Sequence, residues 1–412
     1  MNIIVAVTGS IACYKAFDLV RGLTKLKHNV RVVLTQGALD FIKPEIFKHL
    51  GADYVYLPQD DHNPTKEMFN GLEHDQVLHI ALARWAQKVV IAPLSANTLN
   101  KLGHGLADDL LSCLFLALKP EVSVLLFPAM NPAMWDNAIV KKNRETLSSL
   151  PLTYMHSTMS GEMICGENGD GKLASVEEML TLIQSFEHKA LQKKVLITTG
   201  ATIAPIDPVR FVTNASSGET GYWLAVEALR LGYQVHLVGA KYSTSKIDLL
   251  IDHPRVLIDR VATTQEMFET VTASFKDASA YISSAAIGDI AFHTSASKLK
   301  KDQLSGSLPF EKSQDILKHL LSLRSSEQTM IGFAAETDLS VTTLDKKWND
   351  KPVDLLIGTK VGFNQGFGDT APEYIFYRGN QNIVFQGTLT KEQLAHKILE
   401  SIRHDQTHSL HV

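Results

Sequence analysis

Three side chains in the N-terminal half have chemistry that could bind or transform a small molecule. Cys165 stands alone among glycines in MSGEMICGENGDGKL (159–173), a composition typical of a mobile loop. Asn131 lies between two prolines in FPAMNPAMW (127–135), and a backbone fixed by prolines can hold an amide for recognition. His79 lies in the helical pattern VLHIALARWA and could transfer protons, although a single helical histidine is more often structural or at the surface.

Glycine and hydroxyl residues follow several apolar runs, where they could hold a phosphate. TGSIACYKA (8–16) opens a helical pattern, so its N–H groups and the helix dipole can bind an anion, although such a turn is more often only structural. PLSANTLNKLGHGLADDLL (93–111) adds small polar donors suited to a phosphate and a planar polar ring, with an ordinary helix N-cap as the alternative. ITTGATIAPIDPVRFVTNASSGETGYWLAVEALRLGYQVHLV (197–238) forms a phosphate cradle that is neither a Walker A sequence nor GxGxxG. Its glycines alone would suggest dinucleotide binding.

Length and composition indicate a two-domain globular protein. The 412 residues suit two domains of about 200 residues each, and 45% apolar with 20% charged residues is the balance of a globular chain. A net charge of -4 without any basic run argues against nucleic acid as a partner and favours small molecules. No apolar run reaches the roughly 18 residues that a membrane span needs. The N-terminus lacks a basic region and is expected to be a strand, and three cysteines indicate reduced thiols and a cytoplasmic location.

Apolar runs separated by helix-length segments predict two parallel sheets. Runs buried on both faces and joined by crossover helices indicate the α/β class, with two doubly wound Rossmann-like domains whose ligands gather at the carboxyl ends of the strands. A predicted helix, TLIQSFEHKALQKK (181–194), puts the boundary near residue 188, and RHDQTHSLHV at the end is expected to be a loose tail. The predicted strands are IIVAVTG (3–9), VRVVLTQ (30–36), KVVIAPLS (88–95), VSVLLFPAM (122–130), KVLITTG (194–200), YQVHLVGA (233–240), RVLIDRV (255–261), AYISSAA (280–286), TMIGFAAE (329–336) and VDLLIGT (353–359).

Four motifs of the first half, taken in order, resemble the flavin-dependent cysteine decarboxylase family, which includes the phosphopantothenoylcysteine decarboxylases. They are GSIACYK, APLSANTLNKLGHGLADDLL, PAMNPAMW and the Cys165 loop. The resemblance covers essentially residues 1–180 of a first domain that spans 1–188, and it implies a flavodoxin-like flavoprotein fold with FMN at the strand ends. It further implies that His79 acts as a base, that Asn131 holds the substrate carboxylate, and that Cys165 protonates the product late in the reaction. Met134 is a further implied substrate contact. The FMN contacts implied by the resemblance are Gly9, Ser10, Thr35, Ser95, Asn97 and Thr98.

The second domain, residues 189–412, resembles phosphopantothenate–cysteine ligases over about residues 189–400. The string TxGxTxxPIDPVRFxTNxSSGxxGxxLA carries this resemblance together with SSAAIGDI, SKLKK, SQDIL and GFAAET. Both halves together are similar to the bifunctional bacterial family of coenzyme A synthesis, which implies ligation at the expense of CTP through an acyl-cytidylate. In that scheme Asn214 holds the acyl-cytidylate, Lys298 neutralises the phosphates and Arg210 binds the phosphate of phosphopantothenate.

The implied nucleotide site takes residues from several loops of the second half. Magnesium is expected with the triphosphate, with Asp289 as the candidate ligand. Thr359 stands where the family commonly has asparagine, so the resemblance leaves the strictness of the CTP preference open. The implied CTP contacts are Ser217, Gly218, Ala285, Asp289, Lys298, Asp315, Phe333, Lys347 and Lys351.

Two other functions are compatible with parts of the sequence. One is an FMN-binding redox or regulatory flavoprotein with an inactive C-terminal half. The other is a dinucleotide dehydrogenase, against which the absence of any GxGxxG argues. The resemblance also implies a homo-oligomer that is trimer-based and possibly a dodecamer, in which FMN binds between subunits.

Overall fold

The computed structural model divides the chain into two compact units, Met1–Ile183 and Gln184–Val412. It describes residues 1–73, 77–162, 168–186, 190–300, 307–362, 366 and 371–408. Among the helices in this part of the chain, none is long and apolar enough to cross a membrane.

The first unit is built on a sheet of six parallel strands. Its central strands are apolar and buried on both faces, as a sheet covered by helices on each side requires. Its strands, with a short antiparallel hairpin formed by the last two, are β1 (Asn2–Val7), β2 (Asn29–Leu34), β3 (Tyr54–Tyr56), β4 (Lys88–Leu94), β5 (Ser123–Pro128), β6 (Thr153–Met155), β7 (Met159–Glu162) and β8 (Asn168–Lys172).

Several helices of the first unit begin at residues whose side chains accept backbone hydrogen bonds. Ser95, Asp109 and Asn131 each cap a helix in this way, which satisfies N–H groups that the helix itself leaves unpaired. A 3-10 turn, Ile11–Tyr14, precedes the first helix. The helices are α1 (Lys15–Lys25), α2 (Gln36–Leu39), α3 (Glu45–His49), α4 (Leu78–Trp85), α5 (Ala96–Gly103), α6 (Leu110–Leu116), α7 (Pro132–Trp135), α8 (Ala138–Ser148) and α9 (Val176–Ser185).

The second unit is built on an eight-stranded sheet whose last two strands run antiparallel. Neighbouring residues of its first strand point to different cores: Val195 and Ile197 pack in one, and Leu196 in the other. Its strands are β9 (Lys194–Thr199), β10 (Ile203–Pro205), β11 (Phe211–Thr213), β12 (Gln234–Ala240), β13 (Val256–Val261), β14 (Ala280–Ser283), β15 (Ile290–Phe292), β16 (Phe310–Lys312), β17 (Thr329–Glu336), β18 (Leu355–Lys360), β19 (Glu373–Tyr377) and β20 (Ile383–Thr388). Its helices are α10 (Glu219–Arg230), α11 (Thr264–Phe275), α12 (Ile316–Leu323), α13 (Val341–Asp350) and α14 (Lys391–His408).

Both sheets follow the same strand order. The first is β3-β2-β1-β4-β5-β6, and the second is β13-β12-β9-β14-β17-β18 followed by β19 and β20. This is the Rossmann order, whereas a flavodoxin sheet has the order 2-1-3-4-5. The predicted α/β class is confirmed. In such sheets ligands bind where the order reverses, at the carboxyl ends of β1 and β4 and of β9 and β14.

Two predictions about helix extents are wrong. The predicted helix at 181–194 starts earlier and ends at Ser185, and the residues from Lys194 onward already form β9. The expected loose tail continues α14 as far as His408.

Candidate active sites

The carboxyl ends of β1 and β4 are joined by a buried hydroxyl. The Thr8 hydroxyl donates to the Pro93 carbonyl at 2.8 Å and accepts from the Ser95 backbone N–H at 2.7 Å. Ser95 in turn caps α5, because its Oγ accepts from the Thr98 backbone N–H at 3.4 Å. The predicted residues Ser95 and Thr98 are therefore both buried at the switch point of the first sheet.

The neighbouring turns bring the other predicted FMN contacts to the same sheet end. A Cβ added to Gly9 would lie 3.0 Å from the Gly37 Cα, so the turns after β1 and β2 touch through their backbones. Thr35, which is buried, donates its backbone N–H to the Val7 carbonyl at 3.1 Å. Ser10 Oγ accepts from a backbone N–H of the following 3-10 turn, and Asn97 is exposed in the first turn of α5. These turns present hydroxyl and backbone donors of the kind that hold phosphate.

His79, near the start of α4, is held by a carboxylate. Its Nδ1 lies 2.8 Å from Asp61 Oδ2 and 3.0 Å from Asp61 Oδ1, and its backbone N–H donates to the same Oδ1 at 3.0 Å. The Cys113 thiol on α6 completes a group whose polar atoms lie within 4.8 Å of one another. Burial, and then the Asp61 carboxylate, raise the pKa of Cys113 above that of an ordinary thiol.

Asn131 caps the short helix α7, on which Met134 is exposed. Asn131 Oδ1 accepts from the Ala133 backbone N–H at 2.8 Å. The β7–β8 hairpin packs beside this loop, because the Met130 N–H donates to the Gly171 carbonyl at 3.0 Å. Cys165 lies outside the described residues.

The second unit contains a cavity of about 470 Å³ at the carboxyl ends of its parallel strands. It lies at the switch point between β9 and β14, where the Gly218 turn that opens α10 faces the loop after β14. Eight predicted residues line it: Asn214, Ser217, Gly218, Ala285, Asp289, Phe333, Lys347 and Lys351.

The loops around this cavity are held together by hydrogen bonds and close packing. The Asn214 side-chain amide donates to the carbonyls of Ala286 and Ile287 at 3.3 and 3.4 Å, which connects it to the loop after β14. Gly218 has a φ of +78°, and a Cβ there would lie 2.7 Å from the Ser243 Cβ. Only glycine fits that turn without strain.

Each lysine that lines the cavity is paired with a carboxylate in the described part of the chain. Lys347 Nζ lies 2.7 Å from Glu336 Oε1, and Lys391 Nζ lies 2.6 Å from Glu219 Oε2. The hydrogen bond from Lys391, supported by one from Lys246, lowers the pKa of Glu219 below its usual value.

The third cavity lysine, Lys351, forms an ion pair with Asp315, a predicted CTP contact that does not line the cavity. Its Nζ lies 2.7 Å from Oδ2 of Asp315, whose other oxygen caps α12 by accepting from the Lys318 N–H at 3.0 Å. Asp315 is therefore paired with Lys351 and is not itself among the residues that line the cavity.

Arg210 and Lys298 are brought together, and neither is among the residues that line the cavity. The Arg210 guanidinium pairs with the buried Asp207 carboxylate and donates to the Leu299 carbonyl at 2.9 Å, while Lys298 beside it is exposed. The hydrogen bond from Arg210 lowers the pKa of Asp207 well below its usual range. Arg210 thus has a structural partner in addition to the substrate role expected for it.

Four residues at these sites were missed by sequence reasoning. Asp61 is separated from His79 by an irregular segment, and Lys391 lies 172 positions from Glu219. Glu336 is the last residue of β17 and lies within the GFAAET motif. Its position in that motif was the signal by which it could have been predicted as a site residue. Contacts of such sequence separation leave no periodic signal.

The strand order makes this an α/β protein, with a candidate small-molecule site at the switch point of each sheet. Residues 1–188 match the family model described as Flavoprotein, and residues 190–405 match the DNA/pantothenate metabolism flavoprotein C-terminal domain. The chain belongs to the family of bifunctional coenzyme A biosynthesis proteins. The CoaBC protein of Bacillus subtilis is 33% identical over 389 residues, covering 92% of this chain and 90% of that protein.

A second bacterial relative is similar to this chain over nearly its whole length, and a solved structure is similar to part of it. The CoaBC protein of Vibrio vulnificus (strain YJ016) is 33% identical over 410 residues, covering 98% of this chain and 97% of that protein. Among solved structures, a PPC decarboxylase variant complexed with pantothenoylaminoethenethiol is 31% identical, with a TM-score of 0.40, and covers 45% of this chain and 97% of that structure.

Proposed function

We propose that the second unit joins 4'-phosphopantothenate to cysteine at the expense of CTP and that the first unit decarboxylates the product to 4'-phosphopantetheine with FMN. The family matches over both halves support a bifunctional enzyme of coenzyme A biosynthesis. They favour it over a redox or regulatory flavoprotein with an inactive C-terminal half. The observation that carries the ligase assignment is that eight residues predicted for the ligase site line the same cavity.

FMN fits the sheet end of the first unit. Gly9, Ser10, Thr35, Ser95 and Thr98 surround the carboxyl ends of three adjacent strands, and hydroxyl and backbone donors at such a place suit the phosphate. Asn97 is exposed there and available to a polar ring. When bound, FMN would supply the electron acceptor without which loss of carbon dioxide from the amide-bearing carbon would leave an unstabilised carbanion.

The side chains of the first unit would handle substrate and protons. His79 would accept a proton from the substrate at Nε2, because Nδ1 faces the Asp61 carboxylate. Asn131 would bind the substrate carboxylate, with Met134 beside it on α7. Cys165 would return a proton to the product, as the family resemblance implies.

In the second unit, a substrate carboxylate would attack the α-phosphate of CTP and release pyrophosphate. The resulting acyl-cytidylate gives the carbonyl a leaving group, so the cysteine amine can displace CMP and form the amide. Lys347 and Lys351 line the cavity where they could exchange their carboxylates for phosphate oxygens. Asn214, which is hydrogen-bonded to the loop after β14, would hold the acyl-cytidylate. Lys298 would neutralise the phosphates of CTP, and Arg210 would bind the phosphate of phosphopantothenate.

Magnesium would enter with the triphosphate. Asp289 is an exposed carboxylate on the cavity wall, and Mg²⁺ commonly binds through one or two carboxylates together with substrate phosphates. The Asp61, His79 and Cys113 group offers a nitrogen and a sulfur, which is unlike the oxygen shell that magnesium prefers.

The proposal includes a homo-oligomer in the cytoplasm, trimer-based and possibly dodecameric, with FMN between subunits. Light scattering of the FMN-loaded chain coupled to size-exclusion chromatography measures its mass. A monomer that retains full decarboxylase activity would contradict this part.

The two half-reactions can be separated in one full-length protein. Carbon dioxide release from phosphopantothenoylcysteine reports on the first unit, and cysteine-dependent CMP and pyrophosphate formation from CTP reports on the second. We expect His79→Gln to lose only the first activity and Lys347→Met to weaken only the second, through a higher KM for CTP. A protein that binds no flavin and consumes no CTP, or variants that affect the opposite activities, would overturn the proposal.

A further inference from the structure

We propose that Asp61 is a positioning residue for His79, whose carboxylate keeps the imidazole in the tautomer with the proton on Nδ1 and the lone pair on Nε2. This inference rests on the proposed function of His79 as the base of the decarboxylation. Asp61 makes no contact with substrate in this scheme and acts through the ring.

The first argument is the pattern of donors and acceptors. An ionised carboxylate only accepts hydrogen bonds, so the ring nitrogen that faces it at 2.8 and 3.0 Å must carry a proton. A neutral imidazole has one N–H, which leaves Nε2 with the lone pair that a base needs.

The second argument is that the same carboxylate holds the backbone of His79. Asp61 Oδ1 accepts from the His79 N–H at 3.0 Å as well as from its ring. Two anchor points on one residue restrict rotation of the imidazole and fix its position relative to α4. Restricting a reacting group in this way lowers the entropic part of the barrier.

The third argument is burial combined with access. The Asp61 side chain is 11% exposed, whereas that of His79 is 24% exposed, so the carboxylate is sheltered while the ring can still meet a ligand. The turn that carries Asp61 is itself fastened, because Asp60 Oδ2 accepts from the Leu57 N–H at 2.8 Å.

Asp61→Asn tests the inference in the FMN-loaded full chain. The asparagine oxygen can still accept from the His79 backbone, but its amide group can donate to Nδ1 and favour the wrong tautomer. We expect kcat for carbon dioxide release to fall by about 10- to 100-fold with little change in KM, because general-base catalysis contributes roughly 100- to 10,000-fold and the variant misplaces the base without removing it. Asp61→Glu should recover part of the rate.

The tautomer itself needs a readout other than turnover. Diethyl pyrocarbonate modifies an unprotonated imidazole nitrogen, and peptide mass spectrometry gives the rate at His79 relative to the exposed His62 in the same digest. At a pH where both rings are neutral, Asp61→Asn should slow modification of His79 and leave that of His62 unchanged. Asp60→Asn is the matched control, because its amide oxygen can still accept from Leu57 and it does not touch His79.

The outcomes separate this inference from the proposed function. If His79→Gln still releases carbon dioxide at the wild-type rate, the base itself is wrong. If His79→Gln is inactive but Asp61→Asn changes neither kcat nor the modification rate, the positioning role of Asp61 is wrong, while the assignment of His79 as the base is supported. A lower kcat without a change in modification would also overturn the inference.

Discussion

Thr8 and Ser95 are 87 residues apart in the chain and are joined by a 2.7 Å hydrogen bond from the Ser95 N–H to the Thr8 hydroxyl. The same hydroxyl donates to the Pro93 carbonyl, so one fully buried side chain satisfies a donor and an acceptor at the end of β4. This contact fixes the start of α5 at the switch point of the first sheet.

Thr8→Val should destabilise the first unit and weaken FMN binding. The substitution keeps the shape but leaves a buried N–H and a buried carbonyl without their partner, which costs about 1–3 kcal/mol. Calorimetric melting together with flavin absorbance per chain measures both effects. Thr146→Val is the control, because the exposed Thr146 hydroxyl only donates to the Lys142 carbonyl within α8. Equal melting and flavin content in both variants would contradict the prediction.

Lys347→Met should raise the KM for CTP while carbon dioxide release stays unchanged. Loss of a charge-assisted hydrogen bond to phosphate corresponds to about 1.5–3 kcal/mol, or roughly 10- to 100-fold in affinity. Lys346→Met is the matched control, since the neighbouring residue is exposed on the same helix and does not line the cavity. Similar KM values for the two variants would show that the charge of Lys347 does not act on the nucleotide.

Gly218→Ala should abolish CTP consumption and destabilise the second unit. Its φ of +78° strains any other residue, and the added Cβ would collide with Ser243. Gly105→Ala separates the two effects, because Gly105 has a φ of +68° with no atom within 4 Å of the added Cβ. It should cost only the backbone strain of about 1–2 kcal/mol. A Gly218→Ala variant no less stable than Gly105→Ala would refute the steric argument.

Glu219→Gln should lose stability in a pH-dependent manner. The pKa of Glu219 is lowered in the folded chain, so its stabilisation is present above the unfolded pKa and disappears as the pH falls through the folded pKa. The difference in melting temperature between wild type and variant should therefore be largest near neutral pH and shrink in acid. Glu392→Gln, an exposed glutamate in the first turn of α14, is the control. A difference that stays constant with pH would count against the ion pair.

The sequence predicted secondary structure best where buried strands produce continuous runs of apolar residues. Continuous apolar runs predicted β1, β4, β9 and β17, and the polar segments after β9 and β14 were expected to converge because carboxyl ends of parallel strands share one edge. The antiparallel strands β19 and β20 were not predicted. The outer one alternates between exposed and half-buried residues and carries little apolar signal.

The side-chain partners within the sites were beyond sequence reasoning. The Asp61–His79 and Lys391–Glu219 pairs depend on how loops and distant helices pack, which no local pattern encodes. Arg210 was expected to face a phosphate. Its partner Asp207 is only three positions away, whereas its bond to the Leu299 carbonyl depends on the packing of a segment 89 residues away.

The cavity of the second unit has as many acidic as basic residues on its wall: Glu219, Asp289 and Glu336 against Lys347, Lys351 and Lys391. Its lysines already have anionic neighbours, so a small anion such as inorganic phosphate gains little by entering. A triphosphate accompanied by a divalent cation can engage several lysines at once and compensate the carboxylates that they release. If CTP binds in this cavity as proposed, the equal numbers of acidic and basic side chains on its wall would favour the nucleotide over free phosphate.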